Sequence, residues 1–512
     1  MKKILFLMAS IFLLAACSSD DEVLNEKDNQ LLLDQIEQQV KLKSAADKQQ
    51  RVAAYKAKEK KFVVTLSDES EIVLPNTSSF FSIGEDGNWW IDGTKTAIEA
   101  KTDSKITFNT NGVWLIDGTD TGVALKGDKE KNDVEIIGIV LNENSMIFIF
   151  ADESTINLET NAPEIILIES VDGFEVDMMQ WLRLSPEVKN GDLSSFEWKM
   201  DEEIIDSSNE LLHVFPEAGT YDIEFTATNN MGVATKKLTI KVNEQTYSNK
   251  IAKVYEFLPA PGQFVNKMPT AKAEDNAETM LAKANEILTG SGMVSLGGFG
   301  GYVTFGLDHT VVNREGNDFV VLGNAMPNSA EPGVIMISYD ANGNGLPDDE
   351  WYEIEGSQHG AESTIKEYEM TYYKPAEEPA DSNEQEYIRW TDNQGQEGYI
   401  AKNSFHRQTY YPMWMGKSVT YKGTYLEAAM YDESGNGTMW KSPAYDFGYA
   451  DNWANTDERA QIDIDWAVDK DGNKVNLKGI DFVRVHTSTR AAGGWLGEVS
   501  TEVSGFKDLN LE

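Results

Sequence analysis

The sequence predicts a mostly β, multidomain protein: an N-terminal helical stalk, a module of repeated β-hairpins, and then two β-sandwiches, the second much the larger. Three observations carry this. At 512 residues the chain is too long for one core and should hold about three or four folded units. With 41% hydrophobic and 10% aromatic residues it can build those cores, so 85 acidic against 44 basic residues, a formal charge of −41, marks an acidic globular protein. From residue 62 onward, short runs of alternating apolar residues lie between Asp-Gly, Asn-Gly and Gly-rich turns, which is the pattern of strands and hairpins. The same negative charge excludes nucleic acid as a partner, because phosphate contacts need a basic face.

Residues 1–16 read as a signal peptide. Lys2 and Lys3 form a positive start, residues 4–14 form an apolar run too short to span a bilayer, and Leu14-Ala15-Ala16-Cys17 closes it. This resembles the lipobox of bacterial lipoproteins. The resemblance implies that Cys17, the only cysteine, carries a lipid and anchors the mature chain in the cell outer membrane. Ser18-Ser19-Asp20-Asp21-Glu22 resembles the surface-export signal of Bacteroidota lipoproteins and implies a protein facing the extracellular side; a solvated acidic tether is the alternative. Cleavage would remove Lys2 and Lys3, leaving 42 basic against 85 acidic residues, a charge of −43.

Residues 23–61 contain neither Gly nor Pro and are rich in helix formers, with Leu32, Ile36 and Val40 on one stripe. We therefore expect residues 17–61 to comprise the lipidated cysteine, an acidic tether and a helical stalk reaching up to ~55 Å from the anchor. Its distal part is basic, with eight Lys and Arg from Lys41 to Lys61 against Asp47 and Glu59, which suits either lipid phosphates or solvent.

The hairpin module, 62–160, repeats itself. Gly87-Asn88-Trp89-Trp90-Ile91-Asp92-Gly93-Thr94 recurs 25 positions later as Gly112-Val113-Trp114-Leu115-Ile116-Asp117-Gly118-Thr119, and Ser67-Asp68-Glu69-Ser70 is echoed by Ala151-Asp152-Glu153-Ser154. Its tryptophans either stack on a sugar or fill a small core. The helix and hairpins together resemble an N-terminal module of Bacteroidota surface proteins and some polysaccharide lyases. In residues 162–244, Phe196-Glu197-Trp198 precedes Ala218-Gly219-Thr220-Tyr221 and an alternating strand into Asn229-Asn230. This stretch resembles a PKD domain, an Ig-like β-sandwich that places a core Trp where Phe196-Glu197-Trp198 stands and whose implied role is that of a spacer.

Residues 248–512 carry seven of the twelve Trp and four of the five His, so a binding site is expected here. A helix is predicted over 274–288, followed by a glycine-rich strand, Gly297-Gly298-Phe299-Gly300-Gly301-Tyr302-Val303-Thr304-Phe305. No Lys-Ser or Lys-Thr pair follows those glycines, which argues against a phosphate cradle. The segments at 303–309, 316–324, 330–338, 480–485 and 494–503 together resemble a galactose-binding-like jelly-roll domain of cell-surface proteins, distantly like discoidin domains. That resemblance implies ligand capture, of a glycan or a corrinoid, for a TonB-dependent porin.

Among aromatic residues, Tyr411, Trp414, Trp440 and Trp495 are the candidates for ligand binding, against the alternative that they fill the core. A calcium site is the candidate cofactor: Asp340, Asn342 and Asn344 occupy positions 1, 3 and 5 of an EF-hand-like loop with Gly345 at 6, and Asp348, Asp349 or Glu350 replaces the glutamate expected where Trp351 stands. A plain hairpin loop is the alternative, and Asp432–Gly437 and Asp469–Asn473 are read as hairpin turns. No zinc, nucleophile-elbow, Walker or cysteine-nucleophile motif occurs. The sequence thus reads as a non-catalytic surface lipoprotein, with a glycan-active hydrolase or lyase and a structural adhesin as alternatives.

Overall fold

The computed structural model of the protein describes residues 26–511 apart from 59–60, 76, 85, 102–103, 127–132, 143–144, 171–172, 191–194, 230 and 381–382. The signal peptide, Cys17 and the acidic stretch at 18–22 lie outside the described residues. The chain is mostly strand, arranged in several separate sheets. It forms two compact units: Met1–Glu169 with Ser185–Asn209 and Asp222–Leu238, and Ser170–Leu184 with Glu210–Tyr221 and Thr239–Glu512.

In the first unit the helix Glu26–Asp47 is shorter than the predicted stalk and is not free of the body. Leu42 and Ala45 are 0% and 1% exposed and pack among Phe62, Val64, Leu74 and Phe148. Gln49, at φ 54°, turns the chain out of the helix, and Val52–Lys58 pairs antiparallel with Lys61–Leu66. The basic run from Lys41 is therefore half helix and half strand, because the β-branched and aromatic residues after Arg51 find partners in a sheet.

The 25-residue repeat is a repeat of structure. Asp92-Gly93 joins Asn88–Ile91 to Thr94–Glu99, and Asp117-Gly118 joins Val113–Ile116 to Thr119–Ala124. All four turn residues have positive φ, 53° and 78° in the first and 49° and 77° in the second, as a type I′ turn requires. Each aspartate also reaches back to the chain before its hairpin: Asp92 Oδ1 accepts from the Phe80 N–H at 2.9 Å and Asp117 Oδ1 from the Lys105 N–H at 2.8 Å. Trp89 and Trp114 occupy equivalent core positions, and Trp114 donates to Ser79 Oγ at 3.0 Å while meeting Phe81 edge-on. These tryptophans fill the core. Trp198 does likewise in the strand Ser195–Met200, against Phe225, with its indole N–H on the Ser208 carbonyl.

The second unit is built on one antiparallel sheet. Its order is Lys253–Leu258, Tyr302–Val312, Gly479–Thr487, Gly333–Ser338, Tyr352–Ile354 and Ala467–Val468. A smaller sheet of Gln461–Ile462, Phe319–Leu322 and Gly505–Asp508 shares its core, where Phe305 and Phe319 both contact Phe506. The helix Ala277–Thr289 begins three residues later than predicted because Asn276 caps it, in a capping box with Thr279, and Ala284 and Leu288 enter the same core.

A four-stranded sheet of Glu397–Ile400, Ile388–Asp392, Ile365–Tyr373 and Ser418–Tyr425 carries a second, aromatic core of Tyr368, Tyr372, Trp390, Tyr410, Tyr411 and Tyr421. The strand predicted over 297–305 begins only at Tyr302, and the glycines at 297–301 form the turn before it. Gly297 has φ 71°, and a Cβ there would lie 1.9 Å from the Ala260 carbonyl oxygen.

Trp114→Ala should destabilise the first unit by about 3–5 kcal/mol, the cost of an emptied aromatic core position. Denaturant unfolding followed by circular dichroism measures this.

Candidate functional site

A cleft of about 650 Å³ borders the four-stranded sheet of the second unit. The segments 401–405 and 490–499 and the side chain of Trp440 complete its rim. Its exposed aromatic side chains are Phe405, Tyr399 and Trp495, at 70%, 45% and 43% exposure, and Trp440 is half-buried beside them. Phe405 and Trp495 lie 6.0 Å apart at 59°.

Local sequence explains each placement. Asn403 Oδ1 accepts from the N–H groups of Phe405 and His406 at 3.0 and 3.1 Å, a side-chain-made turn that lifts Phe405 out of the sheet edge. Trp495 sits in a single 3₁₀ turn, Gly494–Leu496, between glycines at φ 55° and 95°. At Gly497 a Cβ would collide with Gln263 Oε1 at 1.7 Å, so only glycine closes this turn.

The cleft's two basic groups are already engaged. Arg490 lies 4.1 Å over the Trp390 ring and donates to Tyr368 Oη at 3.1 Å, and Lys402 pairs with Glu378 at 2.9 Å. Glu498 is buried; its Oε1 accepts from the Gln263 N–H at 2.6 Å, while Oε2 has no partner. Burial pushes its carboxyl up to about 7.

Two of the four predicted ligand-binding residues, Trp440 and Trp495, thus meet in one cleft. The other two do not join them. Tyr411 is 1% exposed, packed in the aromatic core with its hydroxyl on the Gly416 carbonyl, and Trp414 packs against Phe257. In Tyr410-Tyr411-Pro412-Met413-Trp414-Met415 both tyrosines are buried and the rings serve packing, while Met413 is the exposed side chain of the run. Tyr399, Phe405, Arg490 and Glu498 were not singled out from sequence; Phe405 alone carried a signal, as a large ring between Ser404 and His406 in an otherwise polar loop.

The loop from Asp340 brings most of its predicted metal ligands together. Asp340 Oδ1 and Oδ2 accept from the N–H groups of Asn344 and Gly345 at 3.0 and 2.9 Å. The side-chain amides of Asn342 and Asn344 donate to Asp348 at 3.0 Å, and Asn342 also donates to Asp349. Each amide points its NH₂ at the carboxylates; a half-turn would present its oxygen instead. Glu350 turns away, accepting from the Tyr352 hydroxyl at 3.1 Å. The loop joins Gly333–Ser338 to Tyr352–Ile354, which pair through Met336↔Glu353, so it is also the hairpin connection that sequence allowed.

A second oxygen cluster has no signature in sequence. Glu331, Asp451 and Glu502 place one carboxylate oxygen each within 4.8 Å of one another. Asp451 accepts from the N–H groups of Asn324, Ala325 and Glu502, and Glu331 from that of Ser500. All three carboxyls are raised above the usual range, first by burial and, for Glu331 and Glu502, then by their acidic neighbours. Three such groups cannot all ionise in a buried space; protons or a cation must neutralise them.

Residues 173–242 match the PKD domain family. No curated protein matches the chain. Among solved structures it is similar to a SusE-like protein (10% identity, 67% of this chain and 96% of that one, TM-score 0.24). It is also similar to carbohydrate-binding modules of the β-sandwich superfamily (11%, 68% and 98%, TM-score 0.15) and to fibronectin(III)-like modules of Clostridium thermocellum CbhA (13%, 28% and 82%, TM-score 0.14). Among the described residues no helix is long and apolar enough to cross a membrane.

The carboxylate cluster gives stability a definite pH dependence. A carboxyl raised in the folded state holds a proton that the unfolded chain has released, so its contribution is complete below the unfolded value of about 4.3 and is lost as pH rises through the folded one. In EDTA the melting temperature of the wild type should fall between about pH 5 and 8, and Glu502→Gln should flatten that fall; parallel calorimetric scans would measure both.

Proposed function

We propose that the chain is a lipid-anchored surface protein, held in the outer membrane through Cys17, that binds a glycan in the cleft of its second unit and passes it to a TonB-dependent porin. The observation that carries this reading is the clustering of Phe405, Tyr399 and Trp495, all exposed, around one cleft of about 650 Å³. Exposed rings cost free energy in water unless a ligand covers them, and a sugar's C–H face is the complement of an aromatic face.

Hydrolysis of a glycosidic bond ordinarily takes two facing carboxyls, roughly 5–9.5 Å apart. Glu498 is the lone carboxylate among the described residues lining the cleft. This supports binding over hydrolysis. The hairpin and PKD segments then act as spacers, and calcium in the Asp340 loop stiffens the connection between two core strands.

Trp495→Ala should lower affinity at least tenfold for whichever polysaccharide the wild type retains in affinity electrophoresis against starch, xylan, mannan, arabinogalactan and chondroitin sulfate, with stability within about 0.5 kcal/mol of wild type. Failure of the wild type to bind any of these, with or without calcium, contradicts the reading; binding of cyanocobalamin alone would replace the glycan by a corrinoid. Calcium at about 100 times its Kd should add about 2.7 kcal/mol to stability, and Asp340→Ala should abolish that gain; thermal melts in calcium and in EDTA check this.

A further inference from the structure

Two indole rings of the cleft share one support. The strands Tyr431–Asp432 and Trp440–Lys441 pair through Asp432↔Trp440, and the turn between them is knitted by side chains. Asp432 Oδ1 accepts from the Ser434 N–H at 3.0 Å and Oδ2 from the Gly437 N–H at 2.6 Å. Ser434 Oγ in turn accepts from the N–H groups of Thr438 and Met439, both at 3.1 Å. With these N–H groups bound inside the turn, its next two carbonyls are left for the rings. The Gly437 carbonyl accepts the Trp440 indole N–H at 3.2 Å, and the Thr438 carbonyl accepts that of Trp495 at 3.4 Å. Gly494 lies directly under Trp440, where a Cβ would come within 2.7 Å of its Nε1.

We propose that the turn from Asp432 to Thr438 fixes the orientation of both tryptophans, and that Asp432, which does not line the cleft, is a positioning residue for ligand binding. The inference rests on the glycan-binding reading of this cleft and adds to it what the rings can recognise. Both indole N–H donors are spent on the turn, so Trp440 and Trp495 offer the ligand ring surface and no hydrogen bond. Their part in selection is therefore by shape: they suit a sugar ring with an uninterrupted C–H face, and hydroxyl recognition falls to the amide, hydroxyl and carboxyl groups lining the cleft. The aspartate is needed because its two oxygens hold both ends of the turn at once. An asparagine keeps one acceptor oxygen and so retains part of the function, whereas an alanine keeps none.

The test uses the full chain labelled with 5-fluorotryptophan, its Trp440 and Trp495 resonances assigned from Trp440→Phe and Trp495→Phe. Asp432→Ala should move or broaden both resonances while leaving the other ten tryptophans in place. It should also weaken binding of the polysaccharide best retained by the wild type at least tenfold, and Asp432→Asn should weaken it by no more than about threefold. Unmoved Trp440 and Trp495 resonances in Asp432→Ala overturn the proposal, as does wild-type affinity in that variant while Trp495→Ala loses binding. Should Asp432→Ala fail to fold, Asp432→Asn decides by the same two readouts, at smaller amplitude. If the wild type binds no polysaccharide, the glycan reading falls, and the fluorine shifts still decide whether the turn positions the rings.

Discussion

The second unit depends on the burial of one strand. Gly479–Thr487 lies between Tyr302–Val312 and Gly333–Ser338, and Ile480, Val483 and Val485 are each fully excluded from water. Removing such side chains from water stabilises a core by about 1.5–3 kcal/mol apiece, and both neighbouring strands supply its backbone partners. The first residue beyond this strand is still held from both sides, since the Ser488 N–H donates to the Pro332 carbonyl and the Ser488 carbonyl accepts from the Leu426 N–H. Past Ser488 the chain forms the cleft wall: Arg490, Trp495 and Glu498 all hang from the end of the most deeply held strand of the sheet.

This arrangement separates rigidity from exposure. The aromatic residues that hold the four-stranded sheet together are buried, with Tyr372 and Tyr421 each 3% exposed or less, while at the rim Phe405 and Trp495 are on turns and Tyr399 is on the edge strand. The rim loops in turn borrow order from specific hydrogen bonds, such as those of Asn403 to Phe405 and His406. A cleft built this way can change its rim aromatics without disturbing the sandwich beneath it.

Much of the fold was legible because local chemistry decided it. A type I′ turn demands positive φ at both central residues, which Asp92-Gly93 and Asp117-Gly118 tolerate, and the two turns lie where their spacing placed them. Trp198 was readable as a core residue upstream of the Ala218-Gly219-Thr220-Tyr221 turn. The stalk was not readable, because helix-forming composition says nothing about whether Leu42 and Ala45 will be covered by a sheet; they are, and the helix stops at Asp47. The glycines at 297–301 failed for a related reason: their requirement comes from the Ala260 and Leu296 carbonyls pressing on Gly297 and Gly301, neighbours that sequence does not show.

The site was legible only in part. Trp495 was a candidate as an aromatic in a loop-like context, and the 3₁₀ turn bounded by Gly494 and Gly497 leaves it exposed. Tyr411 had as strong a claim by composition, yet its ring lies in the aromatic core. Glu498 joins the cleft only through the fold, which brings residues around 299, 372, 399–405, 440 and 490–499 to one place. The most direct measurement of the central claim is amide hydrogen exchange of the full chain with and without the polysaccharide it retains. The account predicts slowed exchange confined to 399–405, 437–440 and 490–499; protection concentrated elsewhere, with these three segments unchanged, would contradict it.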